Sequence, residues 1–277
     1  MTDHKFGGHW TEVKLDVLEK YLSFYTKALK NTTSKYDWKL LYIDAFAGTG
    51  ECLVNSKSDP IAGSAKIALN TNPPFDEYYF IEKNYNHIAE LKDLCNSYPD
   101  KITHVYNDDA NKKVADICRN INWKKNRAVM FLDPYGMEVK WPSLVEIANT
   151  KAIDLWYLFP LSGLYRQAAR DYRSLDKSKE NKLDELLGTA EWRTAFYEVP
   201  SQTDLFESAP AKVRTAEWDD LLRFVREKRL KTIFAEVSQP LILPSPSAPR
   251  FALYFAVSNP KAVKLSMDVA NYILKTK

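Results

Sequence analysis

Four short clusters of acids, glycines and amides carry the chemistry this sequence offers. The first is Asp44-Ala45-Phe46-Ala47-Gly48-Thr49-Gly50, an acid followed by a G-x-G turn. The second is Phe80-Ile81-Glu82-Lys83, the third Asn107-Asp108-Asp109-Ala110-Asn111, and the fourth Phe131-Leu132-Asp133-Pro134-Tyr135-Gly136. Glycine lets backbone pass close to a ligand and leaves amide N–H groups free to point at it. Carboxylates accept strong charge-assisted hydrogen bonds. An aspartate just before the glycines would repel a pyrophosphate. The dinucleotide fingerprint G-x-G-x-x-G also fails, because Leu53 stands where its third glycine belongs. The pattern suits a ligand with a positive end.

Each cluster must sit at the end of a strand. Residues 40–47 are a mostly apolar run, 78–82 a second strand, 102–106 a short third and 128–132 a continuous apolar run, and residues 153–161 make a fifth strand, none with polar alternation. Helical patterns separate them. One begins near Gly63-Ser64; others carry Ile88, Leu91 and Cys95, then Val114, Ile117, Cys118 and Ile121, then residues 144–148. Strands of this kind alternating with helices predict a parallel sheet covered on both faces. Ligands of such sheets bind beyond the carboxyl ends of the strands. Four strand ends in succession carrying acids therefore predict one crevice.

The flanks are also readable. Leu15, Leu18, Leu22, Tyr25 and Leu29 recur at helical spacing, predicting a helix over 11–30. Thr11 would cap it, with Lys14 where a capping box has an acid. From 163 to about 231 the strand rhythm stops, which predicts a helical insertion or cap. Strands over 233–243 and 251–257, joined by the proline-rich link 244–249, predict a hairpin, and Val263, Met267, Ala270 and Leu274 a last helix. The expected fold is α/β, a Rossmann-like doubly wound, mostly parallel seven-stranded sheet with a C-terminal antiparallel hairpin and a helical insertion. The expected division is an N-terminal helical segment 1–36, a ligand-binding core 37–162, the insertion 163–231, and a closing hairpin and helix 232–277.

Composition narrows the classes. The 277 residues are 45% apolar and 13% aromatic, enough for a full core. Lys and Arg total 39 against 36 Asp and Glu, a net charge of +3, which excludes a purely electrostatic polyanion binder but allows a local basic face. No run approaches the ~18 apolar residues of a membrane span, and Met1-Thr2-Asp3-His4-Lys5 does not begin a signal peptide. Cys52, Cys95 and Cys118 are odd in number and far apart, and His4, His9, His87 and His104 are scattered. Neither a disulfide framework nor a metal site is expected, and the cytoplasm is the expected compartment.

The clusters resemble those of the class I S-adenosylmethionine-dependent methyltransferases, and that cofactor has the required positive end, an α-ammonium and a sulfonium. The resemblance implies that Asp44, Phe46, Gly48 and Gly50 hold its amino-acid part. Glu82 would take both ribose hydroxyls, and Asp109 with Ala110 the adenine. Asp44 lies further from Glu82 than the ~20 residues of a simple βαβ unit; the stretch 51–60 would absorb the excess. Asp133-Pro134-Tyr135 is similar to the (D/N/S)-P-P-(Y/F) motif of methyltransferases acting on exocyclic amines of nucleobases. The resemblance makes Asp133 and the Pro134 carbonyl acceptors for the target NH2 and Tyr135 the aromatic beside it. Tyr135 stands in the second proline's place and Gly136 where the aromatic belongs. The D-P-(F/Y)-G form resembles that of tRNA guanine-N2 methyltransferases. A turn-only reading of the motif stays open, and Glu138 reads as a solvated acid.

The wider succession, extended by Gly63-Ser64 and Phe255-Ala256-Val257-Ser258-Asn259-Pro260, resembles the bacterial three-Cys-motif partner family. That implies a protein partner carrying three cysteines, of radical-enzyme type; this chain's own cysteines are not that motif. The expected function is methyl transfer to an exocyclic amine of DNA or RNA. The rivals are a catalytically inactive scaffold for the three-Cys partner and, disfavoured by Asp44, a nicotinamide- or nucleotide-dependent enzyme. In the insertion, Arg166, Arg170 and Arg173 are spaced for one helical face, as are Arg223, Arg226 and Arg229, with Trp192 and Trp218 as candidate base stackers. Asp219, Asp220 and Glu227 dilute that charge, and a solvated face with aromatic core anchors is the competing reading.

Overall fold

The computed structural model describes residues 8–52, 59–199, 212–243 and 249–277. The N-terminal pentapeptide, Leu53 and most of the 244–249 link lie outside the described residues. Five parallel strands follow one another: β1 (Lys39–Asp44), β2 (Glu77–Ile81), β3 (Thr103–Tyr106), β4 (Asn126–Leu132) and β5 (Ile153–Phe159). The closing strands are β6 (Glu236–Val237), β7 (Leu241–Leu243) and β8 (Phe251–Val257). β8 runs antiparallel beside β5, and both β6 and β7 pair antiparallel with it. The order across the sheet is β6-β8-β5-β4-β1-β2-β3.

The sheet has eight strands, not the seven expected. The span 233–243 is split: Ile233 ends a short helix, and Gln239-Pro240 separates β6 from β7. Proline has no N–H for a ladder, so the two pieces share one edge of β8 in succession.

Burial explains the unalternating strands. Leu41 and Ile43 of β1 enter one apolar cluster, and Leu40 and Tyr42 the other. β5 divides likewise, with Leu155, Tyr157 and Phe159 on one face and Trp156 and Leu158 on the other. A strand covered on both sides has no polar face to show. One cover consists of α1 (His9–Tyr36), α2 (Ser64–Asn70), α3 (Tyr85–Asn96) and, late in the chain, Met267, Ala270 and Ile273 of the helix Val263–Lys275. The other includes α4 (Ala110–Asn120) and α5 (Trp141–Asn149).

Helix α1 is longer than the periodicity predicts. Its N-cap is Gly8, and Thr11 is buried within the first turn, so Lys14 does not occupy a capping-box position. The helix is pinned from inside. Tyr21 donates to the buried Asp154 of β5 at 2.6 Å, and Ser266 donates to the same carboxylate at 3.0 Å. Burial raises that acid to about 6. Asp16 pairs with Lys277 on the same side.

The stretch after β5 is mostly helical: α6 (Leu161–Gln167), α7 (Lys177–Leu187), α8 (Trp192–Ala195), α9 (Trp218–Arg223), a π-helix (Phe224–Leu230), α10 (Lys231–Ile233) and, closing the chain, α11 (Val263–Lys275). A two-residue ladder, Tyr197–Glu198 with Val213–Arg214, interrupts it. Leu183, Trp192, Phe196 and Phe224 belong to the same apolar cluster as Leu144 and Leu155. Trp192 is fully buried and is a core residue rather than a base stacker. Trp218 stacks on Tyr165, ring centroids 3.8 Å apart.

The arginine rows do not form. Helix α6 ends at Gln167, before Arg170 and Arg173, and Arg173 pairs with Asp171. In the second row the π-helix changes the pitch. Arg226 turns inward to the Val237 and Ser238 carbonyls at 2.8–3.1 Å. Arg229 donates to the Leu187 and Gly188 carbonyls and lies over Trp141. These guanidiniums bind the edge strand and α7 to the core.

Candidate functional site at the strand ends

The chain leaves β1 outward to β2 and β3, then returns to β4 on the other flank. Strand order reverses between β1 and β4. In an open wound sheet, the carboxyl ends on either side of such a reversal part and leave a crevice. The Asp44 turn lies on one side of it and the Asp133 turn on the other.

Asp44 closes β1 and is wholly buried. Its Oδ1 accepts the Phe46 N–H and its Oδ2 the Tyr42 hydroxyl, both at 3.2 Å, and the nearby Ser64 hydroxyl helps to hold its pKa down. Burial pushes this carboxyl up to about 7; the donors oppose that, and the charge of nearby Asp133 adds to it. Asp44 thus lies beneath the turn rather than open to solvent, and holds the loop above it.

The turn above it needs its glycines. Gly50 has φ +87°, and a Cβ on Gly63 would come within 2.9 Å of the Gly50 carbonyl, to which the Gly63 N–H donates at 2.8 Å. Gly48, at φ +60°, differs: a Cβ there meets nothing within 4 Å, so it borders open space. The Gly48 N–H donates to Glu82 Oε2 at 2.9 Å. One bond therefore joins the β1 turn to the end of β2.

Glu82 is buried, and its Oε1 accepts the Asn84 N–H at 2.6 Å. Two backbone donors leave about two of a carboxylate's four lone-pair sites. Asn107, at the end of β3, fixes the same stretch by donating to the Glu82 and Lys83 carbonyls at 2.9 and 3.0 Å. His87 Nδ1 lies 3.8 Å from Glu82 Oε1. Asp109 is the N-cap of α4: its Oδ1 takes the Asn111 and Lys112 N–H groups, and its Oδ2 lies 3.8 Å from Lys83 Nζ. Ala110 is buried behind it in the first turn of α4.

Asp133 and Pro134 follow the last residue of β4. Asp133 forms an ion pair with Lys14 of α1. Tyr135 is 65% exposed, although its phenol lies within electrostatic reach of Glu82, Asp133, Cys52 and Glu138. These influences bring the β2 and β4 strand ends near one another, and the Gly48–Glu82 bond ties the β1 turn to the same place. Lys14 is the residue that sequence reasoning missed. Its only signal was a cation at the spacing where a capping acid was looked for, and 119 residues separate it from Asp133. Among the described residues no group of three His, Cys, Asp or Glu side chains could hold a metal ion, and no helix is long and apolar enough to cross a membrane.

Compared with known proteins, the chain matches no family model and no curated protein. Its resemblance to the three-Cys-motif partners therefore rests on the quoted motifs alone. Among solved structures, protein LPL1258 from Legionella pneumophila, of family DUF519, is similar over 98% of this chain and 91% of its own, with 13% identity and a TM-score of 0.52. The two share a fold. Lower similarities include Aeropyrum pernix fibrillarin in complex with S-adenosyl-L-methionine (8% identity, 79% of this chain, 66% of that one, TM-score 0.35) and a Streptococcus thermophilus rRNA methylase (12%, 70%, 89%, 0.30).

Proposed function

We propose that this chain binds S-adenosylmethionine at the β1–β4 crevice and transfers its methyl group to an exocyclic amine of a nucleic-acid base. The observation that carries the reading is the Gly48–Glu82 bond, with open space at Gly48 and Asp133-Pro134-Tyr135 on the neighbouring strand end. Three kinds of residue that the reaction needs are then adjacent: a glycine turn, a hydroxyl acceptor and an amine acceptor.

The donor set fits the cofactor. Glu82 keeps lone pairs for the ribose hydroxyls, and Asp109 Oδ2 lies clear of its capping bonds for the adenine amine. Asp44 supplies buried negative potential beneath the turn. The cofactor, when bound, supplies an electrophilic methyl group on sulfur. Asp133 and the Pro134 carbonyl accept from the target NH2 and orient its lone pair, so that positioning supplies most of the rate. Tyr135 offers an exposed ring to the base.

A second reading, a binding module serving a three-Cys protein, is favoured by one observation: Asp133 is already engaged by Lys14. Labelled S-adenosylmethionine incubated with DNA, tRNA and rRNA from a strain lacking the gene separates the two. Label transfer that Asp133→Ala abolishes is the expected result. Tight cofactor binding with no transfer to any pool supports the module and overturns the enzyme.

A further inference from the structure

The four acids account for the cationic and hydroxyl-bearing parts of the ligand proposed above, but its amino-acid end is a zwitterion. It carries a carboxylate as well as an ammonium, and a crevice of acids alone would repel it. We infer that Lys14 supplies the missing cation and recognises that carboxylate, an assignment that rests on the cofactor reading of the crevice.

Three observations support it. First, the Lys14 side chain is only 11% exposed and reaches Asp133, itself 20% exposed. An ammonium that far from water is positioned, not solvated. Second, its charge is felt at Cys52 together with the charges of Asp44 and Asp133. Lys14 therefore lies against the β4 strand end, with Cys52, just past the glycine turn, within reach of its charge. Lys83, the cation beside Asp109, is 78% exposed and at the adenine end. Third, α1 is held fast around it: Asp16 pairs with Lys277, and Tyr21 is bonded to buried Asp154. A lysine has three donors, so the bond to Asp133 leaves two for another oxygen. Rigid placement of such a donor lowers the ordering cost of binding.

The same ammonium then touches both halves of the site, holding the cofactor's carboxylate and the acid that takes the target amine. Lys14 is a cofactor-positioning residue.

Calorimetry on the full chain tests this with two ligands, S-adenosylmethionine and its decarboxylated analogue, which keeps the ammonium and lacks the carboxylate. Lys14→Met retains the apolar stem and removes the charge. The expected result is a loss of about tenfold or more for S-adenosylmethionine, about 1.4 kcal/mol, and less than about twofold for the analogue, with Lys14→Arg recovering part of the loss. The analogue also reports that the variant is folded. Equal losses for both ligands make Lys14 only a partner for Asp133 and overturn the inference, as does no loss for either. Wild-type protein that binds neither ligand overturns the cofactor reading itself, and this inference with it.

Discussion

Asp44→Asn should stabilise the protein, and by an amount that depends on pH. The carboxyl is wholly buried and raised from an ordinary 3.8 to about 7. A folded-state value above the unfolded one means the folded chain holds a proton that the unfolded chain has released. Stability is then greatest below about pH 4 and falls as pH rises towards 7, by up to about 1.4 kcal/mol per unit. Between pH 5 and pH 8 this costs the wild type about 2.5 kcal/mol. Asparagine fits the site: its oxygen can accept the Phe46 N–H, and its NH2 can donate to the Tyr42 and Ser64 hydroxyls, which reverse roles by rotation. Asp154 titrates in the same direction, but it is present in both proteins and cancels. Urea unfolding of both proteins at the two pH values gives the comparison. The advantage of the variant should grow by about 2–3 kcal/mol from pH 5 to pH 8. An equal difference at both values would show an ordinary carboxyl and refute the reasoning.

The same acid should make cofactor affinity pH-dependent: wild-type binding of S-adenosylmethionine tightens as pH rises from 6 to 8, and Asp44→Asn flattens that slope in calorimetry. Glu82→Gln should weaken binding by about 1–3 kcal/mol, the range for a hydrogen bond to a charged group; unchanged affinity would remove Glu82 from the ribose. Gly63→Ala should destabilise more than Gly48→Ala in thermal melts, because its methyl meets the Gly50 carbonyl at 2.9 Å whereas the Gly48 methyl meets open space and only a positive φ. Gly48→Ala should instead be read out in ligand affinity. Trp192→Ala should cost about 3–5 kcal/mol and preserve a single unfolding transition, since its ring shares a core with the sheet; two separate transitions would show the insertion folding alone.

The parts of this molecule legible in its sequence are those that local pattern dictates. Apolar runs buried on both faces read as parallel strands, and the acids after them mark where the backbone leaves the sheet. The Gly48 turn is legible because a positive φ selects its residue. Lys14 is not, since nothing near it in the sequence refers to Asp133; only the packing of α1 across the sheet brings them together. The arginine rows fail for a related reason. Their spacing assumes 3.6 residues per turn, and the structure ends one helix early and winds the other as a π-helix. Inward carbonyls then claim Arg226 and Arg229. The predicted strand 233–243 fails at Pro240, a residue that propensity summed over the whole run outvotes.

The Asp154 pin has a consequence for the crevice. It fastens the first long helix and the last one to a central strand through a single carboxylate, and the lysine two turns before Tyr21 is the crevice's buried cation. A molecule that lets this corner fray keeps its glycine turn and its strand-end acids but loses the buried lysine that pairs with Asp133. Slow amide exchange in α1 should therefore track ligand competence more closely than order in the Gly48 loop itself.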